Sequence, residues 1–580
     1  MSKKRGPQAA HRLKKNRHIA TIIVLSIVVF ANSLPGNFVW DDEVQIVKNW
    51  RIRGFENLPS AFTSSFWSFL GTEAESQTNF YRPVQTITYM LAYAIGGLSP
   101  TVYHVFNVAY HSAASLFVYL TCVELMFPAA IAFGIAVLFA VHPVHTEAVA
   151  WIAGVPDVAC GAFYFCSVWM FLRYVRTRRA IWLGSACATF LAALLAKEMA
   201  ITLPFFLFFL LTLRERRTGS IRATISMLAP LLGVVGFYLI LRLSALGALA
   251  RSHIDVQATV LDWISLGVRV LGEYMRYTLV PYPLNAFHLL PLKVEYRSIS
   301  TFVALISILA VGGLLWRLRN RVPDAFVWFV SFVAMLAPVF YFRGMSNTFF
   351  AERYLYIPSF AILALMGSLS SGLKVPRLPL ILGSIALVFA AATIYRNETW
   401  KTSEQLYSAT LQVQPEVVQM RINLADIHIK RGEDAVAQSL LESSVRYMES
   451  DRYVPVPNEL YRAQIGLGAI AARMGKYQEA RENFEKAIGT NPRGDWGYLY
   501  LGGVFMEANG DYGKAIQNFQ KAIELGPLNE VARDYMGIAM LNQKNYKEAI
   551  QYFEEALRIN PRYEDARSHL AVASRASSTP

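Results

Sequence analysis

Eleven apolar segments dominate the first two thirds of this chain: 19–34, 102–127, 129–142, 156–172, 180–196, 199–213, 224–243, 301–317, 324–342, 354–372 and 378–396. A helix needs about 20 mostly apolar residues to cross a bilayer. Segments 129–142, 156–172 and 199–213 sit at or below the usual minimum of about 17, so their ends are set only to within several residues. No soluble fold hides so many such runs. The composition agrees, with 54% hydrophobic residues and a mean hydropathy of +0.32. The sequence therefore predicts an all-α, polytopic membrane domain with about eleven spanning helices. Val84–Leu98 and Ala258–Val280 are also apolar. The second carries Asp262, Arg269, Glu273 and Arg276, and both are expected to lie on or dip into the outer surface.

The formal charge of +14 would suit a nucleic-acid partner if it were spread over a soluble surface, but it is not. Residues 1–397 carry 34 Lys+Arg against 17 Asp+Glu, and residues 398–580 carry 21 against 24. The excess sits in short clusters between apolar segments, at Lys3 to Arg17, Arg173 to Arg179, Arg214 to Arg222, Arg317 to Arg321 and Lys374 to Arg377. Cytoplasmic loops are enriched in Lys and Arg. An inside N-terminus places all of these clusters on the cytoplasmic side, and nucleic acid is not an expected partner. Residues 1–18 are then a basic cytoplasmic tail, and the first apolar run, with no small-residue cleavage site, is expected to remain as an anchor. Cys122, Cys160, Cys166 and Cys187 all lie within apolar runs and are expected in the core.

After Trp400 a period appears. Tyr477, Tyr512 and Tyr546 are 35 and 34 residues apart, and the same spacing relates Ala480, Ala515 and Ala549, and Phe484, Phe519 and Phe553. Ala487, Ala522 and Ala556 follow, then Pro492, Pro527 and Pro561, with Gly468, Gly503 and Gly537 opening the units. Small residues let paired helices approach, the Phe fills the gap and the Pro ends the second helix. This is a tetratricopeptide pattern, expected at 461–494, 496–529 and 530–563, with a degenerate unit at 418–451. Residues 398–580 should form an α-solenoid, and 19–397 the membrane domain with its first outer loop at 35–101.

An odd number of spans puts the solenoid and the first loop on one face. That face collects nearly every charge lying near an apolar segment but outside the basic clusters. Asp41-Asp42-Glu43 is the densest group, and adjacent carboxylates raise one another's pKa unless something compensates. They either cap the next helix or supply a general base. His142, His145 and Glu147 in "HPVHTE" have metal-like spacing, but Pro143 disturbs the helix that would align the imidazoles. No residue is assigned to a metal, and no cofactor is expected beyond a low-ranked divalent cation. His104, Asn107 and His111 form a helical stripe that faces a polar interior or hydrogen-bonds between helices. Arg82, Lys197, Arg343 and Arg353 are cations suited to phosphate oxygens. Lys197-Glu198 and Glu352-Arg353 could alternatively pair within themselves. There is no phosphate-binding glycine loop, dinucleotide motif or nucleophile elbow.

The blocks "NFVWDDE", "NFYRPVQTITY", "YHVFNVAYHSAASLFVYL", "FAVHPVHTEAVAWIAGVPDV", "AKEMAIT" and "AERYLYIPS" occur in order along residues 37–359. Together with the C-terminal repeats they resemble the transmembrane and tetratricopeptide-repeat O-mannosyltransferases, of the GT-C superfamily. The resemblance implies transfer of a sugar, typically mannose, with inversion, from a polyprenyl-phosphate carrier to Ser or Thr of a protein held by the repeats. It implies that Asp41 or Asp42 is the base. Glu43, Tyr81, Arg82, His104, His142, His145, Glu147, Asp157, Lys197, Glu198, Arg343, Glu352 and Arg353 would then line the substrate site. The chain departs from animal members in having about four repeats, and in Val155-Pro156-Asp157 where an Arg commonly precedes the acid. Both departures point to a bacterial homologue, in an inner membrane with site and repeats periplasmic. A non-catalytic scaffold for envelope or secretion assembly is the alternative. A flippase for sugar-linked lipids is a third reading.

Overall fold

The computed structural model describes residues 5–71, 79–214, 220–249, 259–289, 298–342, 349–372, 375–450 and 458–578. Among these the regular elements are helices, with no strand. Contacts divide the chain into two units. The first runs to Asp42, includes Arg51–Phe66 and continues to Leu406. The second holds Glu43–Trp50, a stretch from Trp67, and the chain from Tyr407 onward.

Among the described residues of the first unit seven helices are long and apolar enough to cross a membrane: Leu13–Ser33, Pro100–Glu124, Ile152–Thr177, Ile221–Leu246, Ile299–Leu318, Pro323–Phe340 and Leu378–Trp400. An eighth span is available if Ala129–Ala140 and Pro143–Ala150, bent by 44°, count as one. The three remaining segments are shorter apolar helices, Ala180–Ala196, Glu198–Thr212 and Ser359–Gly372. At 1.5 Å per residue these fall short of ~30 Å of hydrocarbon. Eleven apolar segments are thus eleven helices, of which seven or eight reach full length. Val84–Leu98 and Ala258–Val280 appear as Pro83–Gly96 and Val260–Leu279, and neither is among the seven.

Local chemistry explains the boundaries. Thr259 and Asp262 form a reciprocal capping box that starts Val260–Leu279. Ser220 caps Ile221–Leu246, and Gly247, in the left-handed region at φ 68°, ends it. The 44° bend follows from Pro143, with His142 accepting the Val144 N–H across the break. The helices are joined by apolar packing and by polar contacts inside the bundle. Thr393 donates to Val141 O at 2.8 Å, Asn397 to Val29 O at 2.8 Å, and Trp328 to Ser368 at 3.0 Å. Gly161 permits a close approach, since a Cβ there would lie 2.4 Å from the Tyr356 ring.

Among its described residues the second unit contains four helix pairs: Val418–Arg431 with Asp434–Met448, Glu459–Arg473 with Tyr477–Thr490, Asp495–Asn509 with Tyr512–Leu525, and Glu530–Asn542 with Tyr546–Ile559. Glu564–Ser578 follows as a terminal helix. Phe484, Phe519 and Phe553 are buried, each against a glycine of its partner helix. The facing glycines are Gly468, Gly502 and Gly537. The periodic reading nominated Gly503, which instead lies near Tyr535. The facing glycines are therefore 34 and 35 residues apart and the buried phenylalanines 35 and 34, so the middle unit carries one more residue between its glycine and its phenylalanine, within the longer run of helix after Gly502.

Candidate functional site

The site begins at a strained turn. Trp40 has φ 56°, a left-handed conformation that costs a bulky side chain about 1–3 kcal/mol. Its indole stacks on Trp151, with centroids 5.5 Å apart, and Trp151 stacks on Trp400 at 5.7 Å. Trp151 also donates its indole N–H to Val39 O at 3.3 Å. Trp151 in turn sits on a loop held by Asn107, whose amide donates to the carbonyls of Val149, Trp151 and Ile152 at 2.7–3.3 Å.

The two aspartates of this turn have different environments. Asp42 is fully buried, and accepts the Val39 N–H at 2.9 Å and the Ala153 N–H at 2.8 Å. Its carboxylate ties the first loop to the 146–154 turn. Asp41 is half-buried and makes no hydrogen bond among the described residues. Burial pushes its carboxyl up to about 6, against the opposing pull of Arg353. A carboxylate that is unoccupied, partly desolvated and titrates near neutrality is suited to taking a proton.

Arg353 is the hub of the surrounding charges. It donates from its backbone N–H, at 2.9 Å, and from its guanidinium to Glu147, whose side chain is fully buried. Its guanidinium lies over the rings of Trp151 at 5.6 Å and Tyr354 at 5.2 Å. Asp157 also acts on it electrostatically. Asp157 pairs with Lys197 at 2.6 Å, both buried, and the Lys197 ammonium sits 4.8 Å from the Tyr354 ring centre. Lys197 reaches Asp157 because it is extended directly after Ala180–Ala196. Beyond it, Arg82, Arg242 and Lys197 all act on the Glu198 carboxylate. The Arg82–Glu198 pair is long, at 3.4 Å, and Arg82 Nε and Glu198 Oε2 have no hydrogen-bond partner.

Neither local pairing weighed in the sequence forms. Lys197 pairs with Asp157 rather than Glu198, and Arg353 with Glu147 rather than Glu352. The structure thus brings together Asp41, Glu147, Asp157, Lys197, Arg353 and, next to them, Glu198 and Arg82. Other nominated residues have structural partners. His142 bonds to Thr278 O at 3.0 Å, and His145 to Phe139 O and Ser359 at 2.9 Å each. Tyr81 donates to Phe62 O. His104 is buried against Gly36, where a Cβ would stand 3.1 Å from Nε2. Glu352 turns toward Asn285, His288 and Arg396. Glu43 is exposed and belongs to the second unit. Arg343 lies outside the described residues. Among the described residues no group of three or more His, Cys, Asp or Glu is placed to hold a metal ion. Sequence reasoning missed Trp151, Tyr354 and Arg242. Only the Arg242 charge within an apolar run could have signalled its residue. Arg242 donates to Asn79 O at 2.8 Å, which secures the segment leading to Arg82.

Tetratricopeptide-repeat family models match residues 465–530 and 532–563. The chain is 27% identical over 447 residues to "Protein O-mannosyl-transferase F38B6.6" of Caenorhabditis elegans, covering 73% of this chain and 61% of the worm protein. It is 25% identical over 529 residues to "Protein O-mannosyl-transferase TMTC3" of Mus musculus, covering 82% and 55%. It is 27% identical over 504 residues to "Protein O-mannosyl-transferase TMTC4" of Homo sapiens, covering 73% and 64%. The chain therefore spans between half and two thirds of the length of these relatives. Among solved structures, a crystal structure of MamA is 24% identical over 28% of this chain and 82% of that one, with a TM-score of 0.21.

Proposed function

We propose that this TMTC-like, multi-pass membrane chain is a glycosyltransferase. It moves a sugar, taken as mannose, from a polyprenyl-phosphate carrier to Ser or Thr of an extracytoplasmic protein, and the repeats recruit that protein. The observation that carries this reading is the contrast between Asp41 and Asp42. One carboxylate is committed to two backbone amides, and its neighbour stands free at about 6 beside Arg353.

The chemistry follows from those residues. The acceptor hydroxyl oxygen attacks the anomeric carbon as the bond from that carbon to the phosphate oxygen breaks. The hydroxyl proton passes to Asp41, and the configuration inverts. The carbon has oxocarbenium character in the transition state, as in glycoside hydrolysis. A base within hydrogen-bond reach and titrating near the working pH is what the attack needs. The leaving group is already a phosphate, so fixed cations can take the place of a general acid. Arg353, Lys197 and Arg82 are the cations for that role. Arg82 is held loosely enough to turn to a ligand. The reading requires no resident metal.

The test is made in cells that lack this gene and are complemented with wild type, Asp41→Asn or Asp42→Asn, each at matched abundance. Mass spectrometry of envelope or exported proteins should show hexose on Ser or Thr with wild type and none with Asp41→Asn. Unchanged modification without the gene, or with Asp41→Asn, would contradict the reading and favour a scaffold.

A further inference from the structure

Glu352 immediately precedes the hub arginine, yet its carboxylate points elsewhere. It is fully buried and accepts from the Asn285 backbone N–H, from His288 Nε2 at 2.9 Å and from Arg396 Nη2 at 3.5 Å. Arg396 donates its other terminal nitrogen to Leu284 O at 2.9 Å. One carboxylate thus fastens the strap Leu284–His288 to the end of the last apolar helix and to the Glu352–Leu355 turn. A buried carboxylate held by a guanidinium, an imidazole and a backbone amide is costly to desolvate and is a poor device for stability alone.

The strap carries Phe287, which is buried and meets the Trp40 indole at 6.5 Å between ring centres. Trp40 is therefore enclosed between Trp151 on one side and Phe287 on another. A left-handed tryptophan needs such over-determination to persist. The strap closes a mechanical path from Glu352, through Phe287 and Trp40, to Asp41.

We propose that Glu352, with Asn285, His288 and Arg396, is a clamp that holds Phe287 against Trp40, and so positions Asp41 without touching substrate. This assignment rests on Asp41 being the base, and it makes Glu352 and Phe287 positioning residues. The clamp also limits water at the half-buried Asp41 carboxyl, on which Arg353, itself paired with Glu147, acts electrostatically, while the adjacent Asp42 carboxylate is turned to the Val39 and Ala153 amides.

The experiment titrates Asp41 directly, independent of turnover. The full chain in detergent is labelled with a carbodiimide and an amine across a pH series, and the adduct on Asp41 is quantified by mass spectrometry. Wild type should show a midpoint of about 6. Phe287→Ala and Glu352→Gln should both move the midpoint down by about one unit as water reaches the carboxyl, and Phe287→Leu should stay with wild type. Phe287→Ala leaves the carboxylate cluster intact, so it carries the test alone if Glu352→Gln fails to accumulate. A midpoint unchanged in Phe287→Ala would overturn the clamp. Absence of sugar transfer by wild type would instead overturn the reading on which it rests, and the labelling distinguishes the two.

Discussion

At the scale of single residues, Asp41 holds an ionised carboxylate where burial resists it, and this has a consequence for stability. Its folded-state value of about 6 lies above the ordinary 3.8. Below both values the group is protonated folded or unfolded and contributes nothing. As pH rises between them the unfolded chain ionises first, so folding loses stability until about pH 6, and the deficit is constant above that. Asp41→Asn should therefore raise the melting temperature at pH 7.5 and leave it nearly unchanged at pH 3.5, while abolishing transfer. In wild type, transfer should rise with pH through about 6, the limb on which the base loses its proton. Asp42→Ala should act oppositely on stability, costing about 1–3 kcal/mol for each buried amide left without an acceptor. A thermal melt of the two variants side by side checks this. The sequence alone could not separate these neighbours. What distinguishes them is the Ala153 N–H, which meets Asp42 across 111 positions of chain.

At the scale of elements, two buried devices make sharp predictions. The Asp157–Lys197 pair joins Ile152–Thr177 to the end of Ala180–Ala196. Removing one partner strands a buried charge, so Lys197→Met should cost about 3–5 kcal/mol, and adding Asp157→Leu should recover much of it. Denaturation of the single and double variants measures the recovery. In the repeats, a Cβ at Gly502 would stand 2.6 Å from the Phe519 ring, whereas one at Gly503 would stand 3.6 Å from Tyr535. Gly502→Ala should destabilise by about 1–3 kcal/mol through overpacking. Gly503→Ala should be neutral or stabilising by up to ~1 kcal/mol, since the added Cβ would make only ordinary van der Waals contact with Tyr535 in a helix. These elements were legible to different depths. Hydropathy located the apolar helices, because transfer free energy depends on composition alone, but of the eleven expected spans only seven or eight reach spanning length among the described residues. The repeat period was legible because each unit repeats one packing problem, but the facing glycine was misassigned by one residue. The middle unit carries one extra residue between Gly502 and Phe519, and adjacent glycines look alike in a sequence.

At the scale of the whole molecule, the charges divide by position along the chain. The basic connectors, such as Arg173 to Arg179, are read as cytoplasmic, and the turn with Asp41 as extracytoplasmic. Cysteine-accessibility mapping should label a residue introduced near Arg178 only from the cytosolic side, and one at Glu43 only from the other. Labelling of both from one side would remove the proposed meeting of lipid-borne sugar and exported protein. Site residues drawn from Asp41 to Arg353 were legible as charges near helix ends. Their pairings were not, since Glu147 finds Arg353 across 206 positions and Asp157 finds Lys197 across 40. The most direct measurement reconstitutes the purified full chain in vesicles with polyprenyl-phosphate mannose and a Ser/Thr-rich acceptor polypeptide. The account predicts hexose on the acceptor with wild type, and none with Asp41→Asn in equally folded protein. Movement of the sugar-lipid across the vesicle without any glycosylated acceptor, or equal product from Asp41→Asn, would contradict it.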